Sequence, residues 1–256
     1  MMKIILILLV IVSPVVAQRT APPPQRQVLL DFRKERNSPP PKVSAATERS
    51  VLSKMFRRYL TDQSRCNQNF NAGNNSDYLA AARKAGEIVP AIFDVATGSF
   101  TATGQQQTAY LVSVSECNAS HADAFGTKRV AIFSGQRLVA DIDVNFKNNI
   151  EIKTDLNGDG IDELLLSSSD THQGVVEEMA TLVSFQNGRL QEIEDFGLVS
   201  EDSCASLMAG SASKASVLYI SVDHALLSMP KFSVENYQAG CNRAKRWRLI
   251  SRGKMQ

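Results

Sequence analysis

Long apolar runs are scarce in this chain. The one uninterrupted stretch, Ile4 to Val12, is too short for a bilayer core of roughly 30 Å, and no later segment approaches the ~20 apolar residues of a spanning helix. Histidine is nearly absent, with 3 residues in 256 (His121, His172 and His224), and Trp247 is the single tryptophan. Neither sign of charge is in excess: the formal net charge of +2 argues against a general binder of nucleic acid or anionic membrane. The basic run Arg243, Lys245, Arg246, Arg248, Arg252 and Lys254 reads as the solvated face of a terminal strand, with Trp247 packed under basic stems. There is no G-x-S-x-G, H-E-x-x-H, phosphate loop or dinucleotide fingerprint. His121-Ala122-Asp123 and Asp223-His224 place carboxylates beside imidazoles, but no nucleophile motif accompanies them. A carboxylate pair for glycoside hydrolysis would have to come from residues such as Asp141, Asp143, Glu177 and Glu178, so enzyme activity stays open but disfavoured.

What is present begins with an export signal. Lys3 supplies the positive end, Ile4 to Val12 the apolar centre, and Val15-Val16-Ala17 the small residues before a cleavage point, so residues 1–17 read as a signal peptide. An uncleaved anchor is the alternative; no cysteine stands where a lipid anchor would need one. A secreted or periplasmic protein is expected, with no transmembrane span once the signal is removed. The cysteines fit that compartment. Cys66, Cys117, Cys204 and Cys241 are even in number and too widely spaced for a C-x-x-C metal knuckle, which suggests two disulfides. Of the three possible pairings, Cys66–Cys117 with Cys204–Cys241 closes the shorter loops and is favoured.

Composition divides the mature chain. Residues 18–43 carry six of the 9 prolines, as Pro22-Pro23-Pro24 and Pro39-Pro40-Pro41, and read as a disordered tether. Residues 44–90 read as a helical segment packed on a β domain. Ser44 is a plausible N-cap, and Val51, Leu52, Met55, Phe56, Tyr59 and Leu60 recur at helical spacing. A second helix is predicted from Ser76 or Asp77 to about Ile88, ended by Pro90, after an Asn- and Gly-rich loop from Asn67 to Asn75. Residues 91–256 read as the β-rich domain, with hairpins around Ser134-Gly135-Gln136 and Asn187-Gly188, the latter suited to a type I′ turn.

The β-rich part shows a period. TATGQQQTAYLVSV from Thr101, DLNGDGIDELLLSS from Asp155 and AGSASKASVLYISV from Ala209 start 54 residues apart (101 to 155, 155 to 209), each a polar loop followed by an apolar strand. Arg137-Leu138, Arg189-Leu190 and Arg248-Leu249 occupy similar places later in each unit. A period near 50 suggests blade-like sheets. Three units are too few for a closed propeller of 4 to 8 blades, so the expected fold is mainly β: blade-like antiparallel repeats in an incomplete propeller-like assembly, with two N-terminal α-helices.

The middle unit carries the chemistry. In Asp155-Leu156-Asn157-Gly158-Asp159-Gly160-Ile161-Asp162-Glu163, side-chain oxygens at positions 1, 3 and 5 can converge when the chain coils tightly. Gly160 at position 6 permits the bend, and Ile161 at position 7 can turn its carbonyl inward. An EF-hand would need Glu at position 12, where Leu166 stands, and both flanks look like strands. In a strand–loop–strand site the acid at position 9, Glu163, can close the shell; Asp162 could serve instead or face solvent. Four acids in nine residues repel one another unless a cation intervenes, and calcium suits the site better than magnesium, which demands stricter octahedral geometry.

DLNGDGIDELLL resembles the calcium loops of FG-GAP and VCBS-type repeats, as in the integrin α-subunit propeller. The resemblance covers about 20 residues. It implies a loop joining two strands of a propeller blade, with one structural Ca2+ held by Asp155, Asn157, Asp159, the Ile161 carbonyl and Glu163. The loops at Thr101 and Ala209 would be degenerate members without metal, having Thr, Gln, Ala and Ser where ligands should be. The wider chain is similar to exported bacterial proteins, which supplies no activity. The combined expectation is an exported, calcium-binding, non-enzymatic module that engages an unidentified protein or envelope partner. The alternative is an exported hydrolase on the same scaffold; an inhibitor or adhesin is not distinguishable from the first.

Overall fold

Alternating apolar residues and frequent turn signals fold into twelve strands and two α-helices among the described residues. The computed structural model describes residues 25–34, 36, 42–66, 76–117, 127–206, 210–222, 229–242 and 245–254. The signal peptide, both triple-proline runs and the Asn67–Asn75 loop lie outside the described residues. Among those described, no helix is long and apolar enough to cross a membrane.

The first group of strands is a four-stranded antiparallel meander: β2 (Ile88–Gly98), β3 (Gln107–Glu116), β4 (Thr127–Ser134) and β5 (Arg137–Asp143). A second comes next as β6 (Asn149–Thr154), β7 (Glu163–His172), β8 (Val175–Ser184) and β9 (Gln191–Asp202). The third comprises β10 (Ala212–Val222), β11 (Lys231–Gly240) and β12 (Arg248–Lys254). Its fourth member is β1 (Gln25–Asp31), which pairs antiparallel with Val217 to Val222 of β10. Residues Ser213 to Ala215 of β10 pair with the end of β9, which joins the second and third groups into one eight-stranded sheet.

Packing explains why these groups stack. Leu164, Leu165 and Leu166 of β7 are all fully buried. Leu164 and Leu166 join Leu111, Val130 and Ile132 of the first group, while Leu165 joins Leu182, Leu218 and Phe232 on the other side. β7 is thus apolar on both faces, and its leucine run does not alternate because neither face meets water. Each such leucine stabilises the fold by roughly 1.5–3 kcal/mol. On the outer face of the first sheet, α1 (Ala45–Met55) sets Val51, Leu52 and the adjoining Phe56 against Val112, Val114 and Phe133, with Ala82 of α2 (Ser76–Ala85) beside them.

The structure departs from the sequence reading in three places. Part of the expected tether is a strand: Leu29 and Leu30 pack on the core around Leu165, and Phe32 is buried there at 5% exposure. Burial of that short apolar stretch between the two proline runs outweighs the composition around it. α1 stops at Met55, because Phe56 turns to extended backbone (φ −127°, ψ 126°); Leu60, expected on the helical stripe, instead donates its amide to the Ile88 carbonyl at 2.8 Å. α2 is ended by Gly86 (φ +80°), not by Pro90. Pro90 lies inside β2, an edge strand, where its missing N–H costs no ladder bond on the open side. The boundary expected at residue 90 therefore cuts through a strand.

Other expectations hold locally. Ser44 caps α1, its Oγ accepting from Thr47 N at 3.1 Å. Arg137 and Arg248 open β5 and β12, and Arg189-Leu190 immediately precedes β9. Asn187 (φ +58°) and Gly188 (φ +69°) form a turn closed by Arg189 N on the Gln186 carbonyl, within a longer β8–β9 connection. Cys66 joins Cys117, and Cys204 joins Cys241. The first bridge ties the helical segment to the end of β3; the second closes the third group.

Candidate metal centre and adjoining cavity

Residues 155–162 connect β6 to β7, whose pairing begins with Thr154 opposite Glu163. The flanks are strands, as the sequence indicates. The loop coils on its own amides. Asp155 accepts from Gly158 N at 2.7 Å and from Gly160 N at 2.9 Å; Asn157 accepts from Asp159 N at 3.1 Å; Asp159 accepts from Ile161 N at 2.8 Å. Asn157 Nδ2 also donates to Asp159 Oδ2 at 3.0 Å. Gly158 (φ +73°) and Gly160 (φ +82°) adopt the left-handed conformation this coil requires. Leu156 and Ile161 are buried at 7% and 4% exposure and anchor the loop from beneath.

The two adjacent acids separate. Asp162 turns toward the first group, where its Oδ2 accepts from Ser99 N at 2.7 Å and its Oδ1 lies 3.3 Å from Lys153 Nζ. It neither faces solvent nor enters the loop. Glu163 turns inward, is 1% exposed, and accepts from Leu156 N at 2.9 Å. Burial, with the nearby carboxylates of Asp159 and Asp155, pushes its pKa up to about 7. Among the described residues Glu163 makes no ion pair.

The first loop offers an internal contrast. Gln107 opens β3 as Glu163 opens β7, and it too is 1% exposed. Its amide oxygen accepts from Phe100 N and Thr101 N, both at 2.9 Å, and its Nε2 donates to Thr101 Oγ1 at 2.6 Å. A neutral amide therefore holds the first loop, whereas the second uses the buried carboxylate of Glu163. The loops also touch: Thr103 Oγ1 donates to the Asp159 carbonyl at 2.9 Å. At the third position, Ala212 opens β10 without a polar side chain.

The donor set is all oxygen, which fits a hard cation and not a transition metal. Among the described residues no three His, Cys, Asp or Glu side chains form a ready-made ligand shell. The loop oxygens are turned to their own amides, and Asn157 and Ile161 are not acids. The donor chemistry is that of a hard cation, while the loop oxygens are not gathered into a shell.

Asn157, Asp159 and Glu163 also line an open cavity of about 580 Å³, together with residues of the β8–β9 connection and Met229 to Phe232 ahead of and within β11. Its lining also includes Gln186, Gln191, Glu192 and Glu194. Burial first, then Asp195 and Glu192, raise the pKa of Glu194. No pattern in the sequence marks this cavity, because its walls come from three separate stretches.

Asp141, Asp143 and Glu178, considered for catalysis, are engaged elsewhere. Asp141 pairs with Arg129 at 2.5 Å, Glu178 pairs with Arg36, and Asp143 accepts from Asn145 N at 3.0 Å. His172 is exposed at the end of β7, and His121 and His224 lie outside the described residues. One pair escaped the sequence reading. Lys128 Nζ donates to Ser113 Oγ at 2.8 Å across the β3–β4 pair, and burial lowers the lysine pKa. Each residue is 3% exposed, so the hydroxyl does not meet solvent and the pair serves the sheet. No family model, curated protein or solved structure matches this chain.

Proposed function

We propose that this protein is a calcium-stabilised β module acting outside the cytoplasm, in which Asp155, Asn157, Asp159, the Ile161 carbonyl and Glu163 hold one Ca2+ in a loop of the FG-GAP/VCBS type. The observation that supports the reading is Glu163, a buried carboxylate within electrostatic reach of Asp159 and Asp155, at the place where Gln107 serves the neighbouring loop without charge. A divalent ion would remove the repulsion and fix the crossing between β6 and β7. Calcium then acts on stability by mass action, about 2.7 kcal/mol at a hundredfold excess over Kd. The two disulfides support an oxidising compartment.

The role is binding a partner or supporting the cell envelope, without catalysis. A hydrolase on the same scaffold is the second reading, and the shared cavity of Glu163, Glu192 and Glu194 favours it. The test is metal analysis of the purified protein together with its melting curve in calcium and in chelator. One calcium per chain and a lower midpoint in chelator are expected, with Asp155→Ala abolishing the difference. Identical curves for the parent would refute the site.

A further inference from the structure

The basic run that ends in β12 has no part in the calcium reading, and the fold gives it a position. The eight-stranded sheet ends in β6 on one side and in β12 on the other. β6 is met by β2, whose Asp94 accepts from Ile150 N at 2.8 Å. β12 pairs with β11 and, among the described residues, with no other strand. Alternate N–H and C=O groups of such an edge point outward and form a template for another strand.

Side chains decide what the template admits. Between Lys231 and Lys254 the one acid is Glu235, and its carboxylate is shared by Arg26 and Arg252. Lys245 is paired with Asp202. Arg246 and Arg248 are exposed and make no ion pair among the described residues. The edge therefore keeps a positive charge. A second copy is a poor occupant: two-fold antiparallel pairing centred on Ile250 sets Arg248 opposite the copy's Arg252, and like charges facing across strands are destabilising. Charge alone would serve to keep other strands away, but Leu249 and Ile250 are exposed on the same strand, apolar surface that a purely protective edge avoids. An extended segment alternating acidic and apolar residues matches both features, one set of side chains meeting the arginines and the other the leucine and isoleucine.

We propose that the open edge of β12 takes an extended acidic segment of a partner protein as an added strand of the eight-stranded sheet. Main-chain hydrogen bonds supply affinity, while Arg246, Arg248, Leu249 and Ile250 select the charge and spacing of the partner's side chains. The proposal is independent of the calcium site and gives the partner-binding role a surface.

The experiment is calorimetric titration of the full chain with a peptide of alternating valine and glutamate, 7 residues long to match β12. A valine–lysine peptide of the same length is the control. The glutamate peptide should bind about tenfold or more tighter than the lysine peptide and weaken about tenfold between low and high salt. N-methylation of alternate peptide amides blocks one edge of the peptide or the other, so one methylated form should lose about tenfold in affinity while the other keeps it. Arg246→Glu with Arg248→Glu should weaken binding about tenfold at an unchanged melting midpoint. The proposal is overturned by no binding of the glutamate peptide, by equal binding of the lysine peptide, by two methylated forms that behave alike, or by unchanged affinity in the arginine variant. An oligonucleotide bound as tightly as the glutamate peptide would replace strand addition with a general polyanion surface. A chain that sediments as a dimer, and as a monomer after Ile250→Lys, would give the edge to a second copy instead.

Discussion

Replacing Glu163 by Gln copies into the second loop the arrangement that Gln107 shows in the first, and the consequences have opposite signs with and without calcium. In the calcium-free protein, Glu163 has its pKa raised from 4.5 to about 7. The folded state then holds a proton that the unfolded state has released between those values. Stability from this group is therefore fully present below pH 4.5, falls as pH rises to about 7, and is flat above it. At about 1.36 kcal/mol per unit the loss reaches roughly 3 kcal/mol, and solvent screening does little to reduce it for a side chain 1% exposed. The amide of Gln keeps an acceptor for Leu156 N and carries no charge. At pH 8 in chelator, Glu163→Gln should therefore be more stable than the parent by up to about 3 kcal/mol. In saturating calcium the order should reverse, because only the parent gains the binding free energy. Urea unfolding at pH 5 and pH 8, with and without calcium, reads all four conditions. Parallel curves, or equal stabilisation of both proteins by calcium, would refute the argument.

The geometry sets three further outcomes. Gly160→Ala should cost about 1–3 kcal/mol, because a residue with φ +82° would also bring its Cβ to 2.5 Å from Thr103 Cγ2; a shifted denaturation midpoint at unchanged slope checks it. Glu235 accepts from Tyr237, Tyr219, Arg26 and Arg252, and these bonds, the Tyr237 hydroxyl first, lower its pKa to about 2. Its contribution is present above pH 4.5 and lost as pH falls through about 2. Glu235→Gln should cost on the order of 1–2 kcal/mol at pH 7, discounted because Arg252 and Arg26 are solvent-screened, and equal stability of the two proteins there would contradict this. Cys204→Ser with Cys241→Ser opens a loop of sequence separation 37, worth about 4 kcal/mol in chain entropy, and should lower the melting midpoint as reductant does in the parent.

Much of the β architecture was legible because it is local. Gly135 and Asn187-Gly188 announce turns through backbone conformations that few residues tolerate, and Ser44 announces a helix start through its cap. Shorter loop closure also pointed to the two disulfides. Strand β1 was hidden because its partner β10 lies far along the chain, and composition cannot report a non-local pairing. The end of α1 was hidden for a related reason: Tyr59 packs against the same cluster as Phe56 after the helix has ended, so one apolar stripe spans two conformations. At the loop, the sequence named the donors but not the division between Asp162 and Glu163. That division depends on Ser99, which arrives from another group of strands. The cavity was invisible for the same reason.

The pairing of β1 with β10 sets a temporal order on folding. Gln25 to Asp31 finds its hydrogen-bonding neighbour only in Val217 to Val222, so a chain made from its N-terminus must wait for most of its length before that contact can form. Until then Leu29, Leu30 and Phe32 have no completed surface to cover, and β10 has no cover of its own. The last third of the chain thus acts as a latch on the first, and a fragment ending before residue 217 should be open to proteases at Gln25 to Asp31.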